Sequence, residues 1–232
     1  MQSPPGSPAY LRHVSGFFGT GTLGRIRDYF VVREAAGWTP KDERESKRIG
    51  IGAAPNDFRL DEKWYEVWRD ISDTALGSLA DFSYVLFPVH IRHVTQPIHL
   101  VPWHQDAAYM KLMPQRHLKV ITCFVPLEPQ PADVSTLEFA PGDYPLLPHE
   151  AEGDHGAAIK SEAFPGVTRF GLSFGDALLF GDHVPHRTVP GPSGIDRRSF
   201  EFRLTRPEDA LPGKDYFDLS SRAFVRTPAA GQ

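Results

Sequence analysis

The sequence predicts a mainly β fold, a jelly-roll double sheet buttressed by helices, and two observations carry that expectation. From residue 83 to 205 the chain breaks into short segments rich in Val, Ile, Phe and Leu, separated by clusters of Pro, Gly, Asp and Asn. Ahead of them stands one persuasive helical pattern, and nothing in the chain repeats. At 232 residues the chain suits a single unit, since all-β barrels of this size rarely split. The expected organisation is an N-terminal arm (1–20), helical support (21–82), a jelly-roll core (83–205) with a lid loop (128–166), and a C-terminal tail (206–232).

Each element has its own reason. The arm is rich in Pro, Gly and Ser, so it gains order only by packing on something else. In residues 61–81, Trp64, Val67, Trp68, Ile71, Ala75, Leu76 and Leu79 recur at three- and four-residue intervals with acids on the other face. That stripe fastens a helix to a sheet, with the two Trp as core anchors. Strands are expected at 83–94, 98–104, 117–127, 135–140, 168–173, 177–182 and 198–205. The last alternates most cleanly: Phe200, Phe202 and Leu204 interleave with Ser199, Glu201 and Arg203, giving one dry face and one polar face. Residues 128–166 are dense in Pro, Gly and acids, the composition of a lid or binding loop.

Composition narrows the function. Hydrophobic content of 41%, with 16 Phe and 4 Trp, is ample for a core and excludes global disorder. A formal net charge of -4 gives no electrostatic reason to expect nucleic acid. Cys123 is the only cysteine, which excludes an internal disulfide and a thiolate metal cluster and fits a reducing compartment. The N-terminal MQSPPGSPAY has neither the basic nor the apolar region of a secretory signal. No apolar run nears the ~20 residues of a membrane helix. A cytoplasmic setting and a small-molecule substrate are the expectations; oligomeric state stays open.

Two segments carry chemistry. His104-Gln105-Asp106 follows a β-like run, and on a strand residues two apart aim at the same side. Downstream, the Gly175-Asp176 turn leads an apolar strand, then His183 and His186, then Arg197 and Arg198. Two imidazoles and one carboxylate on one face of an octahedral iron(II) leave three adjacent positions open. 2-Oxoglutarate can take two of them and dioxygen the third, while a fixed guanidinium meets the far carboxylate of the keto acid. His183 and His186 are three apart and point to opposite faces of a strand, so one of them serves as ligand. The phase that buries Phe200 and Phe202 puts Arg198 on their side and Arg197 on the other.

Residues 98–204 resemble the phytanoyl-CoA dioxygenase (PhyH) family of iron(II)/2-oxoglutarate oxygenases. WHQDAAY is similar to its proximal metal motif, and GD-A-LLF followed by His186 and, eleven residues on, Arg197 is similar to its distal motif. STLEFAPGDY (135–144) resembles a stretch that ends in Pro-Gly-Ser-His in the family, with Asp143-Tyr144 in its place here. The resemblance implies a double-stranded β-helix, a cupin-like jelly roll. It implies His104, Asp106 and His186 as ligands of Fe(II), and Arg197 as the anchor of 2-oxoglutarate. Thr188 matches a position whose hydroxyl touches the same carboxylate, and Phe124 falls near a strand position often occupied by Trp, at the cosubstrate. His183 is then a hydrogen-bonded neighbour. The implied reaction is hydroxylation of a small molecule by dioxygen, with release of succinate and CO2. The retained Asp106 argues against halogenation.

Two other readings stand beside this one. Arg197 and Arg203 are six apart, a spacing that resembles nucleic-acid demethylases of the AlkB type, and a cupin-like barrel could bind metal without oxidising anything. His90, His93 and His99 are expected in ordinary core or surface roles, their odd separations splaying them apart. Arg92 and Lys119 are possible contacts to an acidic substrate, with solvated surface as the plainer role. His149 and His155 are expected to face solvent in the lid, and Cys123 to be a small buried filler.

Overall fold

The computed structural model describes residues 10–35, 47–51, 79, 81–94, 101–110, 118–130, 132, 137–151, 157–160, 163–189 and 197–229. Among these, eight antiparallel strands form the main sheet. They are β1 (Leu11–Val14), β2 (Lys47–Ile51), β3 (Tyr84–Val94), β4 (Val120–Pro126), β8 (Ala177–Gly181), β10 (Arg197–Thr205), β11 (Asp215–Asp218) and β12 (Ala223–Arg226). The order runs β1-β8-β4-β10-β3-β11-β12, with β2 also on β3. Opposite lies a smaller layer in which β5 (Leu137–Phe139) pairs with β9 (His186–Thr188). His104 bridges to His186 on one side of that pair and Thr168 to Phe139 on the other. β6 (His149–Ala151) and β7 (Ala157–Ile159) form a separate hairpin. Two facing antiparallel layers with crossed connections are the jelly roll that the strand pattern predicted.

Alternation along the strands sorts the side chains. Ile121, Cys123 and Val125 of β4, Ala177 and Leu179 of β8, and Phe200, Phe202 and Leu204 of β10 share one buried cluster. Helix α1 (Thr20–Ala35) closes that face with Leu23 and Ile26, three apart and both fully buried. Phe17 and Phe18 join them, and Phe18 meets the rings of Phe200 and Phe202 edge-on. The other face of the same strands carries Phe124, Leu178 and Phe180, which pack with Leu137, Phe139 and Leu172 of the smaller layer. Cys123 is fully buried, as a filler should be, and burial pushes its thiol well up from the ordinary value.

Several expectations meet a different outcome. Residues 11–14 of the N-terminal arm form β1, an edge strand in register with β8 from Leu11↔Phe180 to Val14↔Ala177. The Gly175-Asp176 turn explains how. Gly175 holds φ +106, a left-handed value that a side chain disfavours, and its carbonyl accepts from the Phe18 amide at 3.1 Å. The Asp176 carboxylate accepts from the Ser173 and Gly16 amides and meets His13 Nε2 at 2.9 Å. The expected lid contains β5, β6 and β7, so it is a built wall in those stretches. The expected helix at 61–81 lies, apart from Leu79 and Asp81, outside the described residues.

Candidate metal centre

His104, Asp106 and His186 come together although 82 positions separate the first from the last, and one ligand atom of each lies within 4.8 Å of the others. Backbone geometry forces the meeting. The His104 amide donates to the His186 carbonyl at 3.0 Å and the His186 amide returns the bond at 3.0 Å, so the two rings stand 4.0 Å apart. Asp106 does not sit on a strand, as the triplet suggested, but opens a one-turn helix, Asp106–Tyr109. Gln105 is extended (φ -117, ψ 134), and that link alone keeps the carboxylate on the side of His104. The Gln105 side chain then staples the turn, donating to the carbonyls of Pro145 and His183 and accepting from the Leu147 amide at 2.8 Å.

The protonation pattern suits a metal. His104 Nδ1 lies 2.8 Å from the Pro102 carbonyl, and His186 Nδ1 lies 3.0 Å from the Val184 carbonyl. A carbonyl only accepts, so each ring carries its proton on Nδ1 and presents the lone pair of Nε2. Burial lowers the His186 value from that of an ordinary histidine, which keeps the ring neutral. Burial would raise Asp106. Arg203 first, then His186, His104 and the Thr122 hydroxyl outweigh that effect and hold the carboxyl well below its ordinary value. His104 Nε2 and Asp106 Oδ1 are 4.0 Å apart, a gap that suits two groups sharing one ion. Two neutral imidazoles and an ionised carboxylate, all buried, are the donor set that a divalent iron needs.

These three residues border a cleft that opens to solvent. Phe124, Leu137 and Phe180 supply apolar wall; Thr122, Thr188, Glu201 and Arg203 supply polar groups. Thr188 and Phe124, which the resemblance implies at the cosubstrate, both line this cleft. The strand phase left open by the pattern is settled for β10: Glu201 and Arg203 line the cleft, while Phe200 and Phe202 face the core. Arg198 turns away and pairs with Glu128 at 3.2 Å. The backbone of Arg197 opens β10 opposite Val94, and its side chain lies outside the described residues. The guanidinium observed in the cleft is that of Arg203, six residues along the strand.

His183 is not hydrogen-bonded as expected. It is buried at 3% exposure, neither ring nitrogen has a hydrogen-bond partner among the described residues, and Asp182 Oδ1 stands 3.8 Å from Nδ1. His149 is no solvent-facing lid residue either, since its Nε2 accepts from the Gln105 amide at 3.1 Å and its Nδ1 lies 2.7 Å from the Leu147 carbonyl. Lys119 pairs with Asp209 at 3.6 Å. The side chains of Arg92, His90, His93, His99 and His155 lie outside the described residues. Sequence reasoning missed Thr122, and met Glu201 and Arg203 only on the polar face of the last strand and, for Arg203, in a spacing.

Fold and site together define a jelly-roll protein in which two histidines and one carboxylate converge as a candidate metal centre. Residues 20–199 match the family model of phytanoyl-CoA dioxygenase (PhyH), and the chain belongs to that family. Solved structures share the fold. EvdO2 from Micromonospora carbonacea var. aurantiaca, complexed with 2-oxoglutarate, superposes with a TM-score of 0.61 at 15% identity, over 84% of this chain and 86% of that one. The epimerase SnoN, in complex with Fe3+, alpha ketoglutarate and nogalamycin RO, gives 0.59 at 19% identity, over 96% and 91%. The carbocyclase SnoK from nogalamycin biosynthesis gives 0.61 at 16% identity, over 96% and 89%. No protein of curated function matches the chain.

Proposed function

We propose that the protein is an iron(II)- and 2-oxoglutarate-dependent oxygenase that hydroxylates a small molecule. The observation that carries the reading is the convergence of two imidazoles and Asp106 within 4.8 Å at a cleft. Membership of the PhyH family and the 2-oxoglutarate named for EvdO2 and SnoN support the choice of cosubstrate. They favour it over the AlkB-type and the non-oxidative cupin-like readings. Bound iron(II), with the keto acid and dioxygen, supplies the oxidising chemistry and leaves succinate and CO2 as coproducts.

The chain's own residues have four tasks. His104 and His186 offer Nε2, their Nδ1 protons held by backbone carbonyls. Asp106 offers a carboxylate and offsets part of the ion's charge. Phe124, Leu137 and Phe180 keep water from the reacting atoms. Thr188 and Arg197 hold the far carboxylate of 2-oxoglutarate. For Arg197 this reading rests on its place eleven residues after His186 and on its strand phase, which it shares with Glu201 and Arg203. Epimerisation and ring closure are the second reading, favoured by the activities named for SnoN and SnoK, because the same metal centre serves all three outcomes. Desaturation uses the same three ligands and stands with them.

The test is anaerobic binding of Fe(II) and 2-oxoglutarate, followed by dioxygen uptake coupled to succinate release with candidate substrates. His186→Ala and Asp106→Ala should abolish both. Tight zinc binding with indifference to the keto acid would support the cupin-like alternative instead. Incorporation of dioxygen-derived oxygen into product separates hydroxylation from epimerisation and ring closure.

A further inference from the structure

Asp106 has two oxygens, and they have different surroundings. Oδ2 accepts from the Thr122 hydroxyl at 2.5 Å and meets Arg203 Nη2 at 3.5 Å. Oδ1 faces His104 Nε2 at 4.0 Å, and among the described residues it accepts no hydrogen bond. The asymmetry is built into the sheet. β4 and β10 pair in register with Thr122 directly opposite Arg203, and both side chains share the cleft phase with Phe124 and Glu201. Two adjacent strands therefore deliver a hydroxyl and a guanidinium to one oxygen of a carboxylate carried by a third segment.

We infer that Thr122 and Arg203 are positioning residues that fix Asp106 as a one-oxygen metal ligand, holding Oδ2 and leaving Oδ1 for the ion. The inference rests on the metal reading above and adds the means by which open positions are kept. A carboxylate with both oxygens free can chelate, and a chelating Asp106 would occupy a second position that a keto acid needs. Turning Oδ2 to the ion would break the Thr122 hydrogen bond and draw the carboxylate away from the Arg203 guanidinium. The Thr122 hydroxyl is the donor and Oδ2 the acceptor. Arg203 adds a positive charge beside the ligand, which moderates how strongly the carboxylate holds the ion.

Cobalt(II) is the probe, since its visible absorption reports coordination number without turnover. In the Co(II)-loaded wild type, 2-oxoglutarate should bind and change the visible spectrum. Thr122→Val keeps the shape and removes the donor. It should weaken 2-oxoglutarate about tenfold or more while Co(II) affinity is kept or tightened, because chelation by Asp106 gains a bond to the ion at the expense of the keto acid. Arg203→Met should move both affinities in the same two directions. Thr122→Ser and Arg203→Lys should recover most of the loss, which a merely structural role would not predict. The inference is overturned if Co(II) and 2-oxoglutarate weaken together, as general loosening would give, or if neither changes. Wild-type protein that binds Co(II) but not 2-oxoglutarate sinks the oxygenase reading instead, and the Co(II) affinity of Thr122→Val, kept or tightened against weakened, still decides the positioning role.

Discussion

The two faces of the main sheet are made by the same residues of sequence and obey different rules. On β10, Phe200, Phe202 and Leu204 enter the core under α1, whereas Ser199, Glu201 and Arg203 turn the other way, the last two into the cleft. On β4 the split is Ile121, Cys123 and Val125 against Thr122 and Phe124. The dry face is held by many interchangeable contacts, each small. The wet face is held by few, each with a named partner: Thr122 with Asp106, and Arg203 with Asp106. Damage to the first should cost stability and spare ligand binding at the site; damage to the second should disturb ligand binding at the site and spare stability.

The sharpest division should come from the ligand itself. His186→Ala removes one of three donors, so loss of Fe(II) affinity and activity should exceed the 10–100-fold typical of residues that only support a ligand. Its midpoint in urea, measured on metal-free protein, should move far less than that of a core variant. Equilibrium dialysis with Fe(II) under argon checks the first half and denaturation by circular dichroism the second. Phe202→Ala is the mirror image. Phe202 is 1% exposed among Phe18, Phe200 and its neighbours, and truncation should cost about 3–5 kcal/mol. Folded Phe202→Ala protein should still bind metal within a few-fold of wild type; loss of binding at full folding would erase the distinction between the faces.

What was legible in the sequence follows the same division. The β10 face pattern, the strand bounds near Val120–Pro126 and Ala177–Gly181, and the triplet at His104 are local, so period-two alternation and ligand chemistry reveal them. The expectation for Cys123 held because an apolar strand has one plausible use for a small thiol. Thr122 was invisible because its role depends on register with Arg203, 81 residues away, and no single segment records that pairing. The Pro, Gly and Ser content of the first twenty residues reads as an arm that orders only on a partner, and what makes Leu11–Val14 a strand is the edge of β8. Helix α1 shows a weak stripe, Leu23 and Ile26, and was anticipated only as part of a broad helical region. His183 and His149 failed for one reason: burial of a histidine is decided by the loop geometry around it, which composition does not show.

A smaller effect is expected at the seam between the faces. Asp182 follows β8, and its Oδ2 accepts from the Lys119 and Val120 amides. Burial, aided by the charge of Asp106, raises its carboxyl to about 6 against those two hydrogen bonds. The protonated form is therefore favoured by folding. Its contribution is full below the ordinary value near 3.8 and is lost as pH rises through about 6. Asp182→Asn keeps an acceptor for both amides and removes the buried charge. The variant should match wild type near the acid end of that window and exceed its stability by on the order of 2 kcal/mol above it. Urea titrations at several pH values would show this, and a difference that does not depend on pH would refute the assignment.

The least effect belongs to a residue that shares β10 with the site but not its phase. Arg198 is partly exposed and pairs with Glu128 at 3.2 Å, and the Glu128 side chain is about a third exposed as well (34%). Solvent screens such a pair, so Arg198→Ala should cost between 0 and about 1 kcal/mol, less at high salt. Glu128 also accepts from the Arg198 backbone amide, a bond that survives the substitution. If Arg198 rather than Arg197 held the keto acid, the same substitution would instead weaken 2-oxoglutarate by an order of magnitude or more with Fe(II) affinity unchanged. Titrating 2-oxoglutarate into Arg198→Ala and Arg197→Ala side by side separates the two adjacent guanidiniums. A keto-acid defect confined to Arg197 would tie the cosubstrate to the cleft phase of β10, one position from a side chain that pairs with Glu128 on the other phase of the same strand.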